Sequence, residues 1–296
     1  MELAPLTRKD LGELVKLSKV ATPELGYLDV KGWEEQAFGD PDSDAAFLLK
    51  AMEKKALVGA AIGVAHKLPD GTKRGFVKYL AVHPKARRQG VATLLLSELE
   101  RRSQKRECQD LRLGQCPPPY VSGGVPLLET AAHCLLLGRG YQRGGPVIDM
   151  VADLKAWKPA WSVLDQALLK EAGIRKATAK DAAAIHAMLQ AAFPAWVWEV
   201  QAALRKGTVF IALRDGHVTA FACANGTHPG WFGPMGTLEL ERGRGLGRLL
   251  MWKCLEALKK GGTHAARIPW VGPVPFYARY AGARLGPVFW TFTKRV

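Results

Sequence analysis

A short pattern that the chain spells twice limits what it can fold into. Arg242 to Gly247 reads RGRGLG and runs into apolar residues at helical spacing, Leu246, Leu249, Leu250, Cys254 and Leu258; Arg87 to Ala92 reads RRQGVA and runs into Val91, Leu94, Leu95 and Leu99. Both copies fit Arg-x-x-Gly-x-Gly/Ala at the mouth of an amphipathic helix. The first turn of a helix has backbone N–H groups without intrahelical partners and carries the positive end of the helix dipole, so such a mouth suits an anion. Gly245 and Gly247 in one copy, and Gly90 and Ala92 in the other, keep side chains small where a diphosphate would lie against the backbone, while the arginines add charge. A loop of this composition is also an ordinary solvated turn, so the weight falls on what surrounds the two copies.

Around them the chain repeats. Thr7-Arg8-Lys9-Asp10, ahead of Leu11, Leu14 and Leu17, has its counterpart in Thr178-Ala179-Lys180-Asp181, an offset of 171 residues; the two loops lie 155 apart, and Gly145-Pro146-Val147 matches Gly286-Pro287-Val288 at 141. Three landmarks in one order, with a steadily falling offset, indicate a tandem duplication whose second copy has trimmed loops. Each copy reads as capped helix, consecutive strands, anion loop with long helix, strand, helix and strand. The predicted fold class is therefore α+β, each domain a mixed, mostly antiparallel sheet flanked by helices. Residues 1–155 form the first domain, 156–172 a connector with a helical stretch Val163 to Glu171 expected on the surface, and 173–296 the second domain. Val147 to Leu154 and Val288 to Thr293 are expected to close the first and second unit respectively. Turns are expected at Leu68 to Gly71 and in the Pro- and Gly-rich stretch Pro117 to Gly124.

The net charge of +15 favours polyanionic partners, whether a diphosphate, an acidic substrate or nucleic acid, and does not choose among them. Aromatic and basic residues do not interleave as they do on platforms for single strands. Cys108, Cys116, Cys134, Cys223 and Cys254 have neither disulfide nor zinc spacing and read as reduced thiols, so a cytoplasmic protein without a metal is expected. The N-terminus lacks the pattern of a signal peptide, and the longest apolar run, Ala56 to Ala65, is too short to span a membrane.

The stretch Leu80-Ala81-Val82-His83-Pro84-Lys85-Ala86-Arg87-Arg88-Gln89-Gly90-Val91-Ala92, together with the element order in both halves, resembles the acyl-CoA motif of the GNAT acyltransferase superfamily. The whole chain resembles a tandem GNAT protein, similar in plan to mycothiol synthase. The resemblance implies an acyl-CoA-dependent N-acyltransferase, with acetyl-CoA the expected donor and a primary amine of a small molecule or peptide the acceptor. It implies that Arg87, Arg88, Gln89, Gly90, Val91 and Ala92, and Arg242, Gly243, Arg244, Gly245, Leu246 and Gly247, hold the CoA diphosphate. The pantetheine arm would then follow the strand edges Leu80, Ala81, Val82 and Met235, Gly236, Thr237. It also implies a tyrosine on the last helix as proton donor to the departing thiolate. Phe276-Tyr277-Ala278-Arg279-Tyr280-Ala281-Gly282 carries that element with one extra residue, which makes Tyr277 the expected catalytic acid, with Tyr280 behind it. In the first copy the corresponding position is Leu136, which transfers no proton, and Tyr120 is an alternative from the loop. Chemistry is therefore expected in the second copy. No general base is assigned among Glu239, Glu241, His228 and His217. Two further readings stay open: a catalytically silent module that senses CoA, and an acetyltransferase associated with nucleic acid or the ribosome.

Overall fold

In the computed structural model, which describes residues 1–25, 28–68, 70–117 and 119–296, the chain divides into two compact units, Met1–Val147 with Val288–Val296, and Ile148–Pro287. Pro69 and Pro118, which fall in two of the expected turns, lie outside the described residues.

Unit 1 begins with β1 (Glu2–Pro5), α1 (Leu11–Ala21) and α2 (Val30–Phe38), followed by β2 (Leu48–Glu53), β3 (Ala56–Lys67) and β4 (Lys73–Val82). Then come α3 (Val91–Lys105), β5 (Asp110–Leu113), β6 (Val125–Pro126), α4 (Thr130–Gly138) and the start of β7 (Gln142–Asp153). Strands β1 to β4 form an antiparallel meander, and β5 joins β4 in parallel. Unit 2 holds the rest of β7, α5 (Val163–Glu171), β8 (Arg175–Lys176), α6 (Ala182–Ala192), α7 (Val197–Lys206), β9 (Thr208–Arg214), β10 (His217–Ala224), β11 (Phe232–Thr237), α8 (Leu246–Lys260), β12 (Ala265–Ile268), α9 (Val274–Ala281) and the start of β13 (Arg284–Arg295). Its sheet runs β11-β10-β9-β8, antiparallel throughout.

The expectation that each unit closes on its own last strand is corrected. The final residues of β13 lie in unit 1, where Phe292 pairs with Leu113 and Arg295 with Asp110 on β5. The end of β7 lies in unit 2, where Met150 to Asp153 pair with Ile268 to Ala265 on β12. Both tails are mostly apolar strands, so pattern alone does not say which short strand each one covers. The boundaries at 155 and 173 follow the repeat, whereas the compact units follow contacts.

The repeat is visible in local geometry. Thr7 and Thr178 each begin a capping box, with Asp10 and Asp181 accepting both the backbone N–H and the hydroxyl of the threonine at 2.8–2.9 Å. Alternation along β10 sends Ala220, Ala222 and Ala224 to the α8 face and Phe221 and Cys223 to the α6 and α7 face, which gives unit 2 a core on each side of its sheet. Unit 1 does the same, with Phe47, Leu95, Leu99 and Phe292 on the α3 face and Leu14, Trp33, Ile62 and Tyr79 on the α1 face. Burial of leucines such as Leu95, Leu99, Leu249 and Leu250 stabilises each docked helix by about 1.5–3 kcal/mol per side chain.

Candidate functional site

Both anion loops have one backbone. A short 3-10 turn, Pro84–Ala86 or Glu239–Glu241, leads to an extended arginine, Arg87 or Arg242, at φ −68° and −69°. Two left-handed residues follow: Arg88 at φ 63° and Gly90 at φ 82° in the first loop, Gly243 at 78° and Gly245 at 85° in the second. These positions account for Gly90 and Gly245, which end their loops as N-caps of α3 and α8 without any side-chain cap, so the first-turn N–H groups face outward. The leading arginines turn back on their own strands: Arg87 Nε donates to the Val82 carbonyl at 3.3 Å and Arg242 Nε to that of Thr237 at 3.2 Å. They lock the loop onto the strand end.

Beside each loop the sheet opens. In unit 1 the β4–β5 ladder ends at Val77 and Leu113, so Leu80, Ala81 and Val82 keep β3 as partner on one side and have no strand on the other among the described residues. A bulge at Lys78, where the register with β3 shifts, starts this free edge. In unit 2 the bridge between Trp231 and Arg267 joins the base of β11 to β12, and Met235, Gly236 and Thr237 pair only with β10 among the described residues. A bulge again precedes the free edge, between Phe232 and Met235. The expected donor-binding residues thus lie on an open strand edge, on the loop that follows it, or, for Val91, Ala92, Leu246 and Gly247, in the first helical turn.

The two loops differ in what surrounds them. A side chain at Gly90 would meet nothing within 4 Å, and Arg88 is exposed with no hydrogen bond or ion pair among the described residues. This cradle is open. At Gly245 a Cβ would lie 3.6 Å from Leu168 Cδ2 of α5, and Arg244 is bound to Glu241 at 2.7 Å and to Glu171 at 3.2 Å. At Gly247 a Cβ would lie 3.1 Å from Met235 Cε and 3.9 Å from Phe276 Cζ, so the loop, the strand edge and α9 converge.

Tyr277 lies on α9 with its ring 6.2 Å from Phe232, the first residue of β11. Burial pushes its hydroxyl up to about 12, so it stays protonated at neutral pH, as a proton donor must. Tyr280 is half-buried, and its carbonyl accepts from Trp252 Nε1 at 2.7 Å. In unit 1 Leu136 is buried, as is Tyr120. Glu239 is exposed; Glu241 is buried and held by Arg214 and Arg244 at 2.5 and 2.7 Å. His228 is buried with its ring 4.4 Å from Trp231, and His217 is exposed.

Sequence reasoning missed a polar cluster at the bulge of β4. His66 Nδ1 lies 2.6 Å from Asp42, and its Nε2 lies 3.5 Å from Asp40; Lys78, with a side chain 1% exposed, donates to Asp40 at 3.2 Å. Burial pulls the His66 imidazole down, but Asp40 and Cys116 outweigh it and push it up to about 10. Asp40 resists the upward push of burial and is held below the usual carboxylate range by His66 and Lys78. The ligand atoms of Asp40, Asp42 and His66 lie within 4.8 Å of one another, a spacing open to a metal, but the Lys78 ammonium already supplies a positive charge on Asp40. The one signal in sequence is Lys78 itself, a lone charge within Gly75 to Val82. All five cysteines are free thiols, Cys134 alone exposed. No described helix is long and apolar enough to cross a membrane.

Solved structures share this fold. A GCN5-related glucosamine N-acetyltransferase region of a fungal multi-domain β-N-acetylglucosaminidase superposes at TM-score 0.79 and 19% identity over 99% of this chain, which spans 38% of that one. A tandem GNAT protein from the clavulanic acid biosynthesis pathway matches at TM-score 0.72 and 17% identity, covering 99% of this chain and 98% of that chain. A GCN5-related N-acetyltransferase from Sphaerobacter thermophilus matches at 0.70 and 16%, covering 99% and 95%. No curated protein sequence matches. The acetyltransferase (GNAT) family model matches at residues 12–118 and again at 178–282, one match on each anion loop and its strands, and the chain belongs to that family as a tandem of two such domains.

Proposed function

We propose that the chain is an acyl-CoA-dependent N-acyltransferase that moves an acyl group, acetyl in the first instance, from CoA to a primary amine of a small molecule or peptide. The observation that carries this reading is the pairing, found twice, of a left-handed loop at an uncapped helix mouth with a free strand edge. Residues 87–92 and 242–247 would offer backbone N–H groups and arginine charge to the diphosphate. The free edges at Leu80 to Val82 and Met235 to Thr237 would align the pantetheine arm, and their unpaired N–H groups would polarise the thioester carbonyl. Holding donor and acceptor together supplies proximity.

In the transfer, the amine nitrogen attacks the thioester carbonyl, the C–S bond breaks, and the amine loses a proton to solvent or a base. Tyr277 donates its proton to the departing CoA sulfur and recovers one from solvent. The first copy has leucine where that acid stands, so it serves as a CoA-binding copy or uses another donor. The nucleic-acid reading has less support, because Arg101 and Arg102 are bound to Glu98 and Arg106 to Asp44.

Calorimetry with acetyl-CoA tests the donor, and thiol release in the presence of a panel of amines tests the reaction. Saturable binding followed by amine-dependent thiol release is expected. An absence of binding by folded protein removes the reading; binding without thiol release for any amine leaves the sensing module.

A further inference from the structure

The two loops share a backbone but not their surroundings, and the difference lies in one helix. The face of α5 presents Asp165, Leu168 and Glu171 at three-residue intervals, a single stripe on a helix. The stripe lies across the mouth of α8. Asp165, 3% exposed, makes two contacts with the Arg248 guanidinium in the first turn of α8. Leu168 stands against Gly245, and Glu171 takes Arg244, the third residue of the loop. A carboxylate at the last position of a helix faces the unfavourable end of its dipole, so the location of Glu171 makes sense through Arg244 rather than through α5.

The helix is also fastened at both ends. Ahead of it, Lys259 Nζ donates to the carbonyls of Lys155 and Trp157 at 3.1 and 2.8 Å, and Trp161 Nε1 donates to Glu256 at 3.0 Å. Behind it, the Leu213 N–H donates to the Ala172 carbonyl at 2.7 Å. Ser162 caps α5 with Asp165, so one carboxylate both starts the helix and holds Arg248. Among the described residues no helix lies on the first loop in this way, and Gly90 is open.

We infer that α5 is a latch on the second anion loop: its carboxylates stand in for the phosphates, so the resting chain takes one CoA, on residues 87–92. The copy that carries Tyr277 loads when Leu168 and Glu171 leave Gly245 and Arg244, with Asp165 still fastened to Arg248. This inference rests on the acyl-CoA reading above and specifies which of its two sites is free. A diphosphate and the α5 stripe compete for the same arginines and the same glycine surface, so occupancy of the second loop is set by the difference between two anionic partners.

Titration calorimetry with coenzyme A on four full-length proteins tests it. Wild type is expected to bind one equivalent. Ala92→Glu, which sets a carboxylate in the first mouth at a helical position that accepts glutamate, is expected to bind none at the same concentrations. Leu168→Ala with Glu171→Gln, which leaves the Asp165 cap intact, is expected to bind two, and Glu171→Gln alone to raise second-site affinity several-fold. Two equivalents of similar affinity in wild type, one equivalent that survives Ala92→Glu, or a single equivalent in the opened variant would each overturn the latch while leaving the acyl-CoA reading in place. No binding to any of the four proteins would instead overturn that reading.

Discussion

Tyr277 and His66 illustrate how burial has opposite consequences for two titratable side chains. Around Tyr277, desolvation alone acts, and the hydroxyl keeps its proton across the usable pH range. Tyr277→Phe is expected to lower kcat by about 100-fold with little change in KM for the acyl donor, since a proton donor acts as the C–S bond breaks. Steady-state kinetics with a productive amine checks this, and an unchanged kcat would place the acid elsewhere. Around His66, Asp40 and Cys116 outweigh desolvation, and the proton is bound more tightly in the folded chain than in the unfolded one. Its folded value of about 10 lies above the ordinary imidazole value of 6.5, so the stabilisation is complete below about pH 6.5 and is lost as pH rises toward 10. The groups facing the ring are Asp40, Asp42 and Cys116, with Lys78 on the far side of Asp40. Thermal melts between pH 6 and 10 should show unit 1 weakening by an amount on the order of a few kcal/mol, with a flatter profile in His66→Gln. A slope equal in the two proteins would assign the effect to other groups.

At the scale of elements, the anion loops show what sequence patterns do and do not convey. The apolar spacing marked both helix starts, whereas the left-handed turns at Gly90 and Gly245 are a finding of the structure; few residues other than glycine adopt φ near +80° at low cost. Arg88 is the exception, a non-glycine at φ 63° where the second copy has Gly243. Arg88→Gly removes left-handed strain and at the same time frees the unfolded chain, so stability should change by less than about 0.5 kcal/mol. CoA affinity at the first loop should nonetheless fall several-fold, because the arginine is the unpaired charge there. Chemical denaturation and calorimetry separate the two effects, and a large stability change with unaltered affinity would make Arg88 a structural residue. The connector was legible as a helix with the bounds Val163 to Glu171, but not in what it covers. Asp165 and Arg248 are 83 residues apart, and no local pattern marks a pair at that distance. The same applies to Asp40, His66 and Lys78, which meet only because three separate segments fold to one bulge.

For the whole molecule, the tandem plan was readable from three landmarks, whereas the ownership of the last strands was not. A mostly apolar strand can be read in sequence, but its partner is decided by geometry that neither tail encodes. A chain ending at Pro287 is expected to lose protection in unit 1, beginning at Leu111 to Leu113, while β9 to β11 in unit 2 remain protected; hydrogen exchange read by mass spectrometry checks this. Loss confined to unit 2 would contradict the division of the chain. Residues 1–155 alone should likewise fail to fold cooperatively, as they lack the strand that covers β5.

That borrowed strand bears on the order of events at the ribosome. Val288–Val296 are translated after the whole of unit 2, so the half that emerges first is the half that must wait longest for its missing piece. Domains that fold as they leave the ribosome usually do so from the N-terminus onward. Here the earlier-born half would hold an uncovered sheet edge throughout synthesis of its sibling, a window in which a holding chaperone or a quick second half matters more than the stability of the finished protein.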